Sequence, residues 1–219
     1  MNDRETTATD LNVFANFQPK LPESYKTAPY LFLGNIQPGL QHAVKEQMNS
    51  ATLQLTGGDT MNYWIADFRE ELLKTIGGWD FLLINDSEAR MLSGEYNLRK
   101  AARRIQEMGP RTLVIKRGEH GAILWHGDQH FIVPGYLLDD VFDPTGAGDC
   151  FAGGFMGYLA GAGVNLQDKA DHNTLRRAVI YGSVMGSFCC ERFGVERFRT
   201  LTREEIDGRF EEFKDFTSF

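Results

Sequence analysis

Asp143–Ala160 reads DPTGAGDCFAGGFMGYLA. Gly146 and Gly148 flank a single alanine, so the backbone there can take angles closed to other residues and let a ligand approach the main chain. Asp149 stands where a helix should begin, and Phe151, Phe155 and Leu159 then recur at i, i+4 and i+8 on one side. The free N–H groups of a helix N-terminus form an anion site. A carboxylate at its rim repels a bare phosphate, yet it suits a hydroxyl that must give up a proton while attacking that phosphate. The same acid also fits a plain N-cap.

Two other polar segments follow expected strands. Asn85-Asp86-Ser87-Glu88 comes directly after the apolar run Phe81–Ile84, and Lys116–Gly121 comes after Thr112–Lys116. In open α/β sheets, ligands sit at the carboxyl ends of strands, so three such segments on one edge point to a common site.

The elements that must position them can be read in order. Met1–Asn12 reads as a loose end, and Leu21–Pro29, with two prolines, as irregular chain. Tyr30–Leu33 predicts a buried strand and Gly39–Met48 a helix. Thr52–Leu55 predicts another strand, closed by a turn at Gly57-Gly58-Asp59. Met61, Ile65, Phe68, Leu72 and Ile76 predict one amphipathic helix capped by Thr60 and stopped at Gly77-Gly78. A short helix to Leu92 and a second over Leu98–Met108 follow. Ala122–Trp125 and His130–Val133 flank a polar tetrapeptide and predict a hairpin; its His126-x-x-x-His130 spacing lacks a third ligand and reads as solvated. Helices over Thr174–Cys190 and Arg203–Phe216 close the chain. Strand–helix alternation from Tyr30 to Lys116 predicts a largely parallel sheet covered by helices, with an antiparallel hairpin added late.

Composition narrows the function classes. The chain has 219 residues, enough for one sizeable α/β domain. Its net charge of −7, without any basic run, argues against general nucleic-acid binding. Met1–Asp10 has no apolar core of a signal peptide, and Cys150–Gln167 is too broken by glycine to read as a membrane span. Gly153-x-x-x-Gly157 reads instead as close packing of a helix. Three cysteines, two of them adjacent, read as reduced thiols and fit a cytoplasmic protein.

The Gly-rich turn is neither a P-loop, since no G-x-x-x-x-G-K-[ST] string exists, nor a dinucleotide fingerprint, since Phe151 stands at the third glycine position. Asp143-Pro144-Thr145-Gly146-Ala147-Gly148-Asp149, followed by Ala152-Gly153-Gly154, resembles the C-terminal signature of the ribokinase-like (PfkB) carbohydrate kinases. Asn85-x-x-Glu88 after its strand, and the Lys116-x-Gly118-x-x-Gly121 loop, resemble two further motifs of that family. The resemblance implies a three-layer α/β/α fold and ATP-dependent phosphoryl transfer to a hydroxyl of a sugar or nucleoside. In it Asp149 is the general base, and the N–H groups of Gly146, Ala147 and Gly148 stabilise charge on the transferred phosphoryl. Asn85 and Glu88 lie near the phosphates and Mg²⁺, acting through water; Lys116, Gly118 and Gly121 lie beside the nucleotide. Asp143 and Thr145 match positions where many relatives hold a monovalent cation.

The resemblance starts from the middle of such a kinase. The Gly-Gly-x-x-x-Asn signature, the first strands and much of the lid have no counterpart, so residues 13–219 are expected to form a truncated kinase domain after a loose segment 1–12. Strands left without neighbours become open edges, which favours a homo-oligomer. A nucleotide-binding or regulatory domain without turnover is the alternative function.

Overall fold

The computed structural model describes residues 8, 10–165 and 171–217. Six strands form one sheet in the order β1 (Tyr30–Leu33), β2 (Leu55–Asp59), β3 (Phe81–Asn85), β4 (Thr112–Lys116), β5 (Ala122–His126) and β6 (Gln129–Val133). Pairing is parallel from β1 to β4 and antiparallel from β4 to β6. The expected architecture, including the late hairpin, is what forms.

Helices α1 (Glu23–Lys26), α2 (Pro38–Glu46), α3 (Asn62–Asp67), α4 (Arg69–Ile76), α5 (Asp86–Ser93) and α6 (Leu98–Gln106) precede the hairpin; α7 (Ala147–Gly161), α8 (His172–Cys189) and α9 (Arg203–Thr217) follow it. Alternate residues of β3 serve two cores. Phe81 and Leu83 pack with Phe151, Phe155 and Leu159 of α7 and with α8 and α9. Leu82 and Ile84 pack with Leu72, Ile76, Leu92 and Ile105 on the other face. A strand covered on both sides reads as a continuous apolar run, which is why FLLI was legible as buried.

Several expected elements shift. Leu21–Pro29 contains one helical turn, α1, rather than only irregular chain. Gly57-Gly58-Asp59 is not a turn but the body of β2. The glycines are there because a neighbouring ring and a neighbouring strand's backbone already fill the space: a β-carbon on Gly57 would meet the Phe81 ring at 2.4 Å, and one on Gly58 would meet the Leu33 carbonyl oxygen at 2.2 Å. The single helix expected over Met61–Ile76 breaks at Phe68, which leaves helical angles while its ring packs 5.2 Å from Trp64. Thr60 does not cap it; Met61 occupies the N-cap without a side-chain bond, and Thr60 is buried.

Close packing of α7 comes from a different glycine than expected. Gly153 and Gly157 face open space, whereas a β-carbon on Gly154 would stand 2.5 Å from the Tyr181 carbonyl oxygen of α8. His126 is buried rather than solvated, with Nδ1 2.9 Å from Thr112 Oγ1, and burial, helped by Arg111, pushes its pKa down. The cysteines are free thiols. Among the described residues no helix is long and apolar enough to cross a membrane, and no cluster of three His, Cys, Asp or Glu side chains fit for a metal ion is found.

Candidate active site

The parallel register places the three segments together. Asp59 ends β2, Asn85 ends β3 and Lys116 ends β4, with Asn85 directly opposite Lys116. The N-terminus of α7 lies over this edge, since Lys116 Nζ reaches Gly148, while Phe155, two turns further on, packs 5.3 Å from Phe81 at the other end of β3.

The turn into α7 is tightly determined. Gly146 is the N-cap and takes a left-handed conformation at φ 83°, which favours glycine. Asp143 Oδ1 accepts the Thr145 N–H at 2.9 Å, and the amides of Phe142 and Asp143 donate to the Cys190 carbonyl. Asp143 and Thr145 thus brace the turn against the end of α8. The Ala147 N–H donates to the Pro144 carbonyl at 3.1 Å, so that amide is already engaged. Gly148 and Asp149 are the next two residues of the helix, whose amides point out of its first turn.

Asp149 is not an N-cap acid. It is the third residue of α7, it is exposed, and the cap position has no side-chain hydrogen bond. Its carboxylate therefore does not cap the helix and stands in solvent at the mouth of the turn. Lys116 approaches the same point from β4: a β-carbon on Gly148 would lie 3.0 Å from Nζ.

Asn85 and Glu88 are bound to each other in a capping box at the start of α5. Asn85 Oδ1 accepts the Glu88 N–H at 2.8 Å, and Glu88 Oε2 accepts the Asn85 N–H at 3.0 Å. Gly118 and Gly121 both have positive φ, in a loop where the Arg117 N–H donates to the Gly121 carbonyl at 2.7 Å. A β-carbon on Gly121 would meet the Val133 carbonyl oxygen at 2.0 Å, so this glycine is required for packing whatever ligand the loop meets.

Sequence reasoning missed Asp59. Gly57-Gly58-Asp59 predicts a turn, yet Asp59 is a buried strand residue, 6% exposed, with Oδ1 lacking a hydrogen-bond partner. Burial raises its pKa to about 6; Lys116 opposes that shift, and Asp149 and Glu88 add to it. The strand register and the Asn85–Glu88 cap put Asp59, Glu88 and Lys116 at one edge of the sheet, and Lys116 Nζ reaches the α7 turn that carries Asp149. The signal in the sequence was an acid at the end of a buried stretch, hidden because Gly57-Gly58 imitates a turn.

Three carboxylates facing one ammonium leave the space negative. A polyphosphate enters such a site only with cations. Mg²⁺ takes oxygen ligands, keeps several waters and is usually held by one or two carboxylates plus substrate phosphates. Asp59, with its unpartnered Oδ1, and Glu88 fit that mode, and a complete protein cage is not needed.

Comparison with known proteins places the chain among kinases. The chain is 29% identical over 143 residues to a cytidine kinase from Thermococcus kodakarensis, a match covering 64% of this chain and 51% of that protein. It is 37% identical over 100 residues to a 2-dehydro-3-deoxygluconokinase from Thermoproteus tenax, covering 44% and 30%. A ribokinase II candidate from E. coli, solved in complex with ATP and Mg²⁺, shares the fold with a TM-score of 0.67 at 22% identity, over 86% of this chain and 60% of that one. The chain spans about half the length, or less, of these curated relatives. The profile of the pfkB family carbohydrate kinases matches residues 3–200, and the chain belongs to that family.

Proposed function

We propose that this chain carries the phosphoryl-transfer centre of an ATP-dependent kinase acting on a hydroxyl of a sugar or nucleoside. The observation that carries the reading is the convergence of the α7 N-terminus, Lys116, Asp59 and Asp149 on one space. Phosphoryl transfer needs positioning and electrostatic stabilisation more than covalent chemistry, and these groups supply both.

In this reading Asp149 takes the proton of the acceptor hydroxyl. The amides at Gly146 and Gly148, with the Ala147 turn that holds them, face the charge developing on the transferred phosphoryl. Glu88 and Asp59 would hold Mg²⁺, which would supply charge neutralisation at the phosphates. Lys116 lies on the nucleotide side, next to the loop of Gly118 and Gly121, and Asn85 fixes Glu88. The relatives act on sugar-type and nucleoside acceptors, and both classes present the hydroxyl that such a centre requires.

The test is an ATP-dependent phosphorylation screen over sugars and nucleosides, with Asp149→Asn as control. Turnover that falls by about 10²–10⁴-fold in the variant is the expected result. ATP·Mg²⁺ binding without turnover on any acceptor would reassign the chain as a nucleotide-binding domain.

A further inference from the structure

A groove of about 440 Å³ opens where the chain leaves β1. It runs between the 3₁₀ turn Asn12–Asn16 and the segments that follow β1 and β2. Its walls are aromatic: Phe14, Phe17, Trp64 and Phe68. Phe14 and Phe17 are half exposed and meet edge to face at 5.8 Å.

The two amide side chains in its wall are already engaged. Asn35 accepts the Trp64 indole N–H at 2.8 Å and donates to Met61 Sδ at 3.2 Å. Gln37 accepts the Leu40 N–H at 3.1 Å and donates to Glu71 at 2.6 Å. An occupant rich in hydroxyls would find few partners here, whereas a flat ring would find faces to stack on. The exposed Asp10 also lines the groove and could accept from an exocyclic amine, as acids accept from the cytosine amine.

The groove reaches the reacting centre at Asn35, which lines it and directly follows Gly34; the Gln41 amide donates to the carbonyls of both Gly34 at 2.9 Å and Asp59 at 3.1 Å, which holds the two segments side by side. Strand order places it at β1 and β2, and Lys116 at β4, about 14 Å away at ordinary strand spacing. A phosphoryl group leaving a nucleotide on the β4 side would travel toward this groove.

We propose that the groove receives the heteroaromatic base of a nucleoside acceptor, whose sugar hydroxyl then lies toward Asp59 and Asp149. The proposal rests on the kinase reading and narrows its acceptor class. The base stacks on Phe14 with the perpendicular Phe17 ring at its edge, and Asp10 favours bases that carry an amino group.

The test is calorimetric titration of the chain with cytidine, adenosine, uridine, inosine, free ribose and glucose, in parallel with turnover under ATP·Mg²⁺. The expected result is nucleoside binding at least about tenfold tighter than ribose, lost in Phe14→Ala, in line with the worth of one base–aromatic stack. Val13→Ala, an exposed neighbour that does not line the groove, should bind as the parent does. Asp10→Asn should erase the preference for cytidine and adenosine over uridine and inosine. Unchanged melting of Phe14→Ala would show that the loss is local. Nucleosides binding no better than ribose, or Phe14→Ala binding them undiminished, would overturn the proposal. So would a dimer in sedimentation that Phe14→Ala dissolves, since a second copy would then be the occupant. Turnover confined to plain sugars would remove the base site and leave the kinase reading standing; nucleoside binding without turnover would do the reverse.

Discussion

The Lys116 ammonium rests against Gly148, so that a β-carbon on that glycine would stand 3.0 Å from Nζ. A cation at the N-terminal end of a helix faces the positive end of its dipole. An anion between them relieves both. Lys116→Met should therefore lower turnover by about 10²–10³-fold, the usual loss for one donor aimed at developing charge. Steady-state kinetics with ATP varied would check this; a change in KM alone would reduce Lys116 to a nucleotide contact.

Asp59 should make stability depend on pH. Its carboxyl is protonated in the folded chain up to about pH 6, against a reference of 3.8. The native state then binds the extra proton, so the contribution is fully present below pH 3.8 and is lost as pH rises through 6. A shift of this size corresponds to about 3 kcal/mol at most. Urea midpoints at pH 4.5 and pH 7 would measure it, and Asp59→Asn should flatten the slope and raise stability at pH 7.

The capping box separates structure from metal binding at one pair. Asn85→Ala removes the acceptor for the Glu88 amide and should cost about 0.5–2 kcal/mol. Glu88→Gln keeps a residue that completes a capping box, so thermal stability should hold. It removes a charge, so the Mg²⁺ concentration needed for half-maximal turnover should rise. Equal Mg²⁺ requirements in parent and Glu88→Gln would confine Glu88 to its cap.

Neighbouring glycines of α7 should respond oppositely. Gly153 faces open space, and Gly153→Ala should stabilise by about 1 kcal/mol through helix propensity. Gly154→Ala would push against the Tyr181 carbonyl at 2.5 Å and should cost about 1–3 kcal/mol. Denaturant unfolding of both variants would decide whether α7 is held on α8 through Gly154.

Much of the fold was legible locally. Tyr30–Leu33 and Thr112–Lys116 form strands with the expected bounds, because short apolar runs between turn residues have few alternatives. The Asp143–Asp149 motif specified a turn entering a helix, because left-handed Gly146 and the Asp143 brace are short-range features. Asn85 and Glu88, three residues apart, needed only one helical turn to meet.

Long-range packing decided the rest. Gly57-Gly58 carries a turn signal, but the Phe81 ring and the Leu33 carbonyl occupy the places of its side chains, so the segment becomes β2. That change carries Asp59 into the sheet and beside Lys116, which is 57 residues further along the chain. Which local turns and motifs exist follows from residue types a few positions apart. That a buried acid joins them follows from packing, because burial and charge proximity arise between residues remote in the chain.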